Sequence, residues 1–424
     1  MVLKWGLPCR TMSDFTKDRT ARGATRDGRP QMSKDCTTTS TAAETAADPR
    51  PRTIFGIDSH ARTTTICALV VGTGEVRTRT FRGNAYGLMA EWMAGFPAPA
   101  HGVYEAGCTG FVPARALSDG GVTVVPIAPS KMPTSSESRA RKNDRNDAAR
   151  LARLALAGEL REVWVPGEEV EGLRDLVHAL DDLKDQRTRA YQRVLGLLCR
   201  HGIVWDEHTP KGRLKKAWGL EFWGWLRGIE LGDPISQAAL LAAIRAAESA
   251  REQYDELLRR AHELAAASSL AGTIEALQCL KCVSFLTALS FAAEVGDFSR
   301  FPSGRKVTSW LGLAPSESSS GLAKRIGAIT RCGSQLLRSL LVEGAWAAAR
   351  CSPARGKACP ASVDPRIRER ARTLSQRLCE RRRSLVERGV ASCKANAATA
   401  AELGRFMYFL GREQQAIEAE ALAA

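Results

Sequence analysis

At 424 residues the chain is too long for one ordinary hydrophobic core, so two or three domains are expected, and a hydrophobic content of 44% is enough to fold them. A formal net charge of +15, from 61 Lys and Arg against 46 Asp and Glu, favours a phosphate backbone over neutral partners and places nucleic acid ahead of an anionic membrane. There is no apolar run of about 18 residues and no signal-like start, so a membrane-spanning or secreted protein is not expected and a cytoplasmic one is.

The 12 cysteines are scattered and read as reduced thiols. Cys279 and Cys282 form a CxxC with no second pair or nearby histidine, in the apolar stretch ALQCLKCVSFLTAL, where burial in a helix is favoured over zinc.

Residues 1–50 are rich in Thr, Arg, Asp and Ala without aliphatic periodicity, the composition of a disordered tail. From Thr53 the texture changes. TIFGIDSHARTTTICALVV predicts two strands joined by a short turn, and GEVRTRTFRG a third. A helix is expected in AYGLMAEWMAGF, a strand in HGVYEAG, a helix in FVPARALSDGG and a strand in VTVVPIAP. A basic loop, SKMPTSSESRARKN, precedes a helix opening at DRNDAARLARLALAG. Strands in a hairpin series that then alternate with helices indicate an α/β domain with a mixed sheet over residues 53–165. Residues 166–270 read as helical, and the length of EEVEGLRDLVHALDDLKDQRTRAYQRVLGLLCRHGI suggests a protruding hairpin or coiled coil. Residues 271–415 form a mostly α region with a compact part to about 350. The basic helical stretch IRERARTLSQRLCERRRSLVERG follows and ends in AAELGRFMYFLG.

Four carboxylates carry the chemistry of the first domain. Asp58 ends the apolar run TIFGI, Glu105 follows HGVY, and Asp144 and Asp147 stand three apart on one face at a helix start. Acidic groups brought together repel each other unless a cation neutralises them. Hard oxygen ligands suit Mg²⁺ or Mn²⁺, which can stabilise the attacking and leaving oxygens of a phosphodiester. Taken singly, an Asp at a strand end is commonly a turn former and a DxxD at a helix start a pair of favourable first-turn charges.

In order and spacing, FGIDSH, VYEAGCTGF and KNDRNDAARLA resemble the DEDD motifs of transposases from insertion-sequence family 110 and its 1111 subgroup. The resemblance implies a RuvC-like, ribonuclease H fold for the first domain, with Asp58, Glu105, Asp144 and Asp147 as metal ligands.

In the second half, SWLGLAPSESSSGLAKRIGAITRCGSQLLRSLLVEGAW gathers Ser, Gly and the cations Lys324, Arg325, Arg331 and Arg338. A glycine after a serine permits close approach of a phosphate, and the cations would offset developing negative charge. On chemistry alone a Ser run beside Gly reads as a loop, and no histidine lies near in sequence to serve as a base. The segment resembles the C-terminal transposase domain of the same family, whose pattern is GLxP, Ser-Gly, RxGxIxKxG and LRxxL. Aligned on Gly312, Leu313 and Pro315, the family's catalytic serine falls on Ser320, with Ser319 as the neighbouring alternative. The resemblance implies that Ser320 attacks a DNA phosphodiester to form a phosphoserine link, and that rejoining needs no ATP. Two departures stand out: Cys282 and Ser284 replace a GxG-type hairpin, and Arg331 replaces a lysine.

Lys131, Arg139, Arg141 and Lys142, just ahead of the DxxD, are candidate phosphate contacts. IRERAR and ERRRSL form either a basic nucleic-acid face or a solvated helix laced with ion pairs. The family implies double-stranded DNA as donor and target, a structured guide RNA, and a dimer or tetramer; the helical middle would associate through apolar seams or else form an intrachain bundle. Two further readings stay open: a RuvC-like junction nuclease without serine chemistry, and a nucleic-acid-binding protein without activity.

Overall fold

The computed structural model describes residues 50–119, 121–129, 132, 143–320, 323–350 and 357–423, apart from the side chains of residues 319, 320, 323 and 324. The tail expected at 1–50 and most of the basic loop before the DxxD lie outside these residues.

Strands β1 (Thr53–Ser59), β2 (Thr63–Val70) and β3 (Val76–Arg82) form an antiparallel meander. Helix α1 (Tyr86–Ala94) leads to β4 (Ala100–Glu105), and α2 (Val112–Leu117) to β5 (Val122–Ile127). Both β4 and β5 run parallel to β1, giving one mixed sheet in the order β3-β2-β1-β4-β5. This is the α/β sheet expected of a RuvC-like domain.

Alternation along β1 sorts the layers. Phe55 and Ile57 join Tyr104 and Val124 on one face, under Met89 and Met93 of α1 and Ala114 and Leu117 of α2. Ile54 and Cys67 point to the other face and pack on Ala148 and Ala152 of helix α3 (Asp144–Leu156), while Val103 and Ile127 meet Leu151. Gly56 is the closest approach: a Cβ built there would lie 2.0 Å from the Ala148 carbonyl oxygen and 2.5 Å from the Ala152 nitrogen. Helix α3 therefore lies directly on the β1 backbone.

Helices α4 (Glu168–Arg200) and α6 (Pro234–Ala267) run antiparallel, with α5 (Leu220–Arg227) between them. Asp233 caps α6, accepting from the Ser236 amide at 2.7 Å just ahead of Pro234. At the distal end, Ala190, Val194 and Leu198 pack on Leu240 and Ile244 and on Phe222, Trp223 and Leu226. At the other end, Leu173, Val177 and Leu180 meet Tyr254, Ala261 and Ala265 within the main core. The apolar seam of each long helix is thus filled by the other, as in an intrachain bundle.

The remaining elements are α7 (Ala271–Gln278), α8 (Phe285–Val295), a 3₁₀ turn (Phe298–Arg300), α9 (Gly304–Trp310), hairpin strands β6 (Pro315–Ser320) and β7 (Ala323–Ile329), α10 (Gln335–Arg350), α11 (Pro365–Glu387) and α12 (Ser392–Ala423). Two findings depart from the sequence reading. The serine segment, read as a loop, is an antiparallel two-stranded hairpin. AAELGRFMYFLG is the buried heart of α12, on which α7, α9, α10 and α11 all pack. Close fit there depends on small residues: Gly404 lies against Leu311 and Gly411 against the Phe298 ring.

Three arginines of α11, Arg377, Arg381 and Arg382, serve this packing. Glu402, only 4% exposed, is held by Arg377 at 3.4 Å and by Arg381, while the buried Arg382 donates to Asn396 Oδ1 at 3.0 Å and Ser392 Oγ at 3.2 Å. Removing the cations strands a carboxylate in the core, whereas neutralising the carboxylate frees two cations that water can reach. The double change Arg377→Ala and Arg381→Ala should therefore cost about 3 kcal/mol in a denaturant melt, against about 1 kcal/mol for Glu402→Gln. Equal losses would refute the asymmetry.

Candidate metal centre

Asp58 follows Ile54 and Gly56 on the α3 face of β1, because side chains two apart share a face. The parallel register pairs Ile57 with Tyr104, so the next residues, Asp58 and Glu105, stand side by side at the carboxyl ends of adjacent strands. Helix α3 begins at Asp144, where Asn143 caps it by accepting from the Arg145 amide at 3.1 Å. Asp147 follows one turn on. The Gly56 contact presses this helix onto β1 and sets its first turn over the strand ends, with its positive dipole end toward the carboxylates.

Asp58 is the innermost of the four. Burial raises its carboxyl above the usual range, His60 opposes that, and Asp144, Asp147 and Glu105 push it further up. The three sequence-distant acids therefore all act on one carboxyl group. Its Oδ1 lies 3.2 Å from His60 Nε2, while its buried Oδ2 has no hydrogen-bond partner among the described residues. One ligand atom each from Asp58, His60 and Asp144 lie within 4.8 Å of one another. Exposed Glu105 and half-buried Asp147 flank that trio without belonging to it.

This donor set fits a divalent cation. Hard oxygens predominate, an acceptor is buried without a partner, and mutual repulsion of the acids would be relieved by positive charge. His60 was not singled out from the sequence. The signal was present in FGIDSH, since a residue two beyond a strand Asp shares its side of the chain.

Ser320 ends β6 and pairs with Ala323, and Ser319 pairs with Lys324; the side chains of Ser319, Ser320 and Lys324 lie outside the described set. Arg325 is exposed on β7. Arg331 takes a left-handed backbone, φ 57°, and its amide donates to the Gly312 carbonyl at 3.0 Å. The Arg338 guanidinium donates to the carbonyls of Cys332 (2.9 Å) and Gly333 (2.8 Å), binding the hairpin's base to α10. Gly312 and Gly333 have φ of 71° and 80°, and a Cβ on them would sit 2.0 Å from the Cys332 oxygen and 2.1 Å from the Trp310 oxygen. These glycines let the hairpin's base close. Lys131, Arg139, Arg141 and Lys142 lie outside the described residues.

Cys279 and Cys282 are buried, but both lie in the turn between α7 and α8 rather than in a helix. Burial pushes the Cys279 thiol up to about 12, and no metal-ligating group includes either among the described residues. Ser284 caps α8 through the Thr287 amide at 3.2 Å.

Two family models match the chain. The Transposase IS116/IS110/IS902 family covers residues 274–359, which include the hairpin, and a transposase model of the IS110 DEDD type covers residues 55–202, which include all four acids. The y4qE protein of Sinorhizobium fredii, named as a transposase, is 36% identical over 314 residues, 73% of this chain and 75% of that protein. The transposase for insertion sequence element IS1533 of Leptospira borgpetersenii is 29% identical over 208 residues, 49% of this chain and 58% of that protein. The transposase for element IS1111A of Coxiella burnetii is 29% identical over 216 residues, 49% of this chain and 55% of that protein. The chain thus spans three quarters of the first relative and under two thirds of the other two.

Gly56→Ala should separate the site from the fold. Helix α3 must shift by an ångström or more to admit the methyl group, so Mn²⁺ affinity measured by titration calorimetry should fall at least about tenfold while the sheet stays folded by circular dichroism. Wild-type affinity in Gly56→Ala would show that α3 does not place the acids.

Proposed function

The chain belongs to the IS110 family of insertion-sequence transposases, and from that premise we propose that it cuts and rejoins DNA with Asp58, Glu105, Asp144 and Asp147 around Mg²⁺ or Mn²⁺ and with Ser320 as nucleophile. Membership makes DNA its substrate and strand cleavage and transfer its class of reaction. The observation that carries the metal assignment is the half-buried Asp58, with an unpartnered oxygen, in the field of the other three acids. A divalent ion held there would supply charge neutralisation at the scissile phosphate.

The protein's own groups would divide the remaining work. The Asp58 and Glu105 carboxylates are fixed by a paired β register, and Asp144 and Asp147 by a capped helix, so the acidic cluster is preorganised rather than assembled on binding. The Ser320 hydroxyl would form a bond to phosphorus as the phosphorus–deoxyribose oxygen bond breaks; the displaced sugar oxygen takes up a proton as the serine loses one. A second DNA hydroxyl attacking the phosphoserine would regenerate Ser320, conserving the number of phosphoester bonds. Lys324, Arg325 and Arg331 would offset charge near the hairpin, and Lys131, Arg139, Arg141 and Lys142 would contact phosphates ahead of α3. Arg338 fits a different role, bracing the hairpin's base through backbone carbonyls.

The family resemblance and the +15 charge support a structured guide RNA, with base pairing choosing the sequence while the protein supplies charge and chemistry. A dimer or tetramer acting in the cytoplasm completes the proposal, since exchange of several strands calls for several active sites. Among the described residues no helix is long and apolar enough to cross a membrane.

Two substitutions test the chemistry separately. Asp58→Ala should lower Mg²⁺-dependent strand cleavage at least about a thousandfold, and chelation by EDTA should do the same to the native protein. Ser320→Ala should abolish the protein–DNA adduct that survives a denaturing gel, along with strand transfer. Cutting by Ser320→Ala at the native rate would leave a plain metal-dependent nuclease.

A further inference from the structure

A groove runs along the distal half of the helical hairpin, with a volume of about 510 Å³, lined by Arg189, Gln192, Arg193 and Arg200 of α4 and floored by Gly196 and, across from it, Ala239 and Ala243 of α6. At 100° per residue, Arg189, Arg193, Gly196 and Arg200 fall within about 60° of one another, a single stripe about 16 Å long. Nothing acidic lines it.

Several arginines elsewhere on the same hairpin are ion-paired, though among the described residues the exposed Arg245 and Arg260 of α6 are not. Arg187 lies 3.9 Å from Asp255, Arg227 is 2.7 Å from Glu248, and Arg259 bridges Glu256 and Glu263 at 2.6 and 2.5 Å. Arg189, Arg193 and Arg200 have no carboxylate within ion-pair distance among the described residues, and all three are exposed. Three like charges on one stripe weaken a helix rather than support it.

Gly196 is the second anomaly. A glycine inside a helix costs about 1 kcal/mol relative to alanine. No packing demands it, because a Cβ there would meet nothing within 4 Å. Its effect is to leave the floor of the arginine stripe bare, as close approach of a phosphate backbone requires.

We propose that this groove is a nucleic-acid binding site, in which Arg189, Arg193 and Arg200 each take a phosphate of one backbone that lies over Gly196. The inference rests on the transposase reading for the presence of a nucleic-acid partner, but it assigns a site away from the acidic cluster and the serine hairpin. A second copy of the same surface is disfavoured, since two such stripes would repel each other.

The test is binding of the full-length protein to a short DNA duplex and to an RNA hairpin of matching sequence, each followed from low to physiological salt. Changing the three arginines to glutamine should lower the slope of log affinity against log salt by about 2–3 for the source that occupies the groove, and leave the other source unaltered. The control Arg259→Gln should leave both slopes unaltered. Gly196→Glu gives an independent reading: replacing a helix-interior glycine should raise the melting temperature, while a carboxylate among the arginines should weaken the same probe at least tenfold. Weaker binding in a more stable protein cannot come from damaged folding.

Native slopes for both probes in the triple variant, or native affinity in Gly196→Glu, would overturn the groove assignment and leave the transposase reading standing. Loss of self-association in the triple variant with unchanged slopes would make the groove a contact between copies, which also overturns it. Salt-insensitive binding by the unaltered protein would overturn both readings.

Discussion

Everything in the first domain depends on how closely α3 can lie on β1. A strand and a helix ordinarily stand apart by the thickness of their side chains, and here one side chain is missing from the strand and two small ones face it from the helix. Gly56, Ala148 and Ala152 reduce the gap to backbone contact. The first turn of α3 is consequently held at the height of the strand ends, where Asp58 and Glu105 emerge. Acids more than 80 residues apart in sequence converge because a methyl group is absent two residues before one of them.

That convergence opposes stability. Burial and three neighbouring carboxylates all disfavour ionisation of Asp58, and only His60 and the α3 dipole act the other way. A fold selected for stability alone would not place its acids so. Strain of this kind is tolerated where a ligand relieves it, and the groups present suit a divalent cation better than they suit one another.

Much of this was legible in the sequence, and the limits have physical causes. Alternating apolar residues located β1, β2 and β4, and the DxxD start located α3, because each signal is local. Gly56 carried no local signal: its meaning lies in what it faces, 92 residues away. His60 could have been read, since it shares a side with Asp58. The β6–β7 hairpin escaped because SESSS has no apolar alternation, and among the ribbon's described side chains none is buried to produce one. AAELGRFMYFLG was legible as helix, but burial of most of its circumference, with Phe409 left exposed, depends on α7, α9, α10 and α11 together.

Charge shows the same limit. The count of Lys and Arg pointed to a polyanion, yet a count cannot say which cations are free to meet one. In α11 the ERRRSL stretch looks like a basic face, but Arg381 and Arg382 are turned inward to Glu402 and to Asn396 and Ser392. On the helical hairpin the less conspicuous Arg189, Arg193 and Arg200, spread over 12 residues, are left unmatched and share one groove. Affinity for phosphate follows from unmatched charge on an accessible surface, because a paired arginine must first give up its carboxylate. Partners, rather than sequence density, decide where a basic protein meets its nucleic acid.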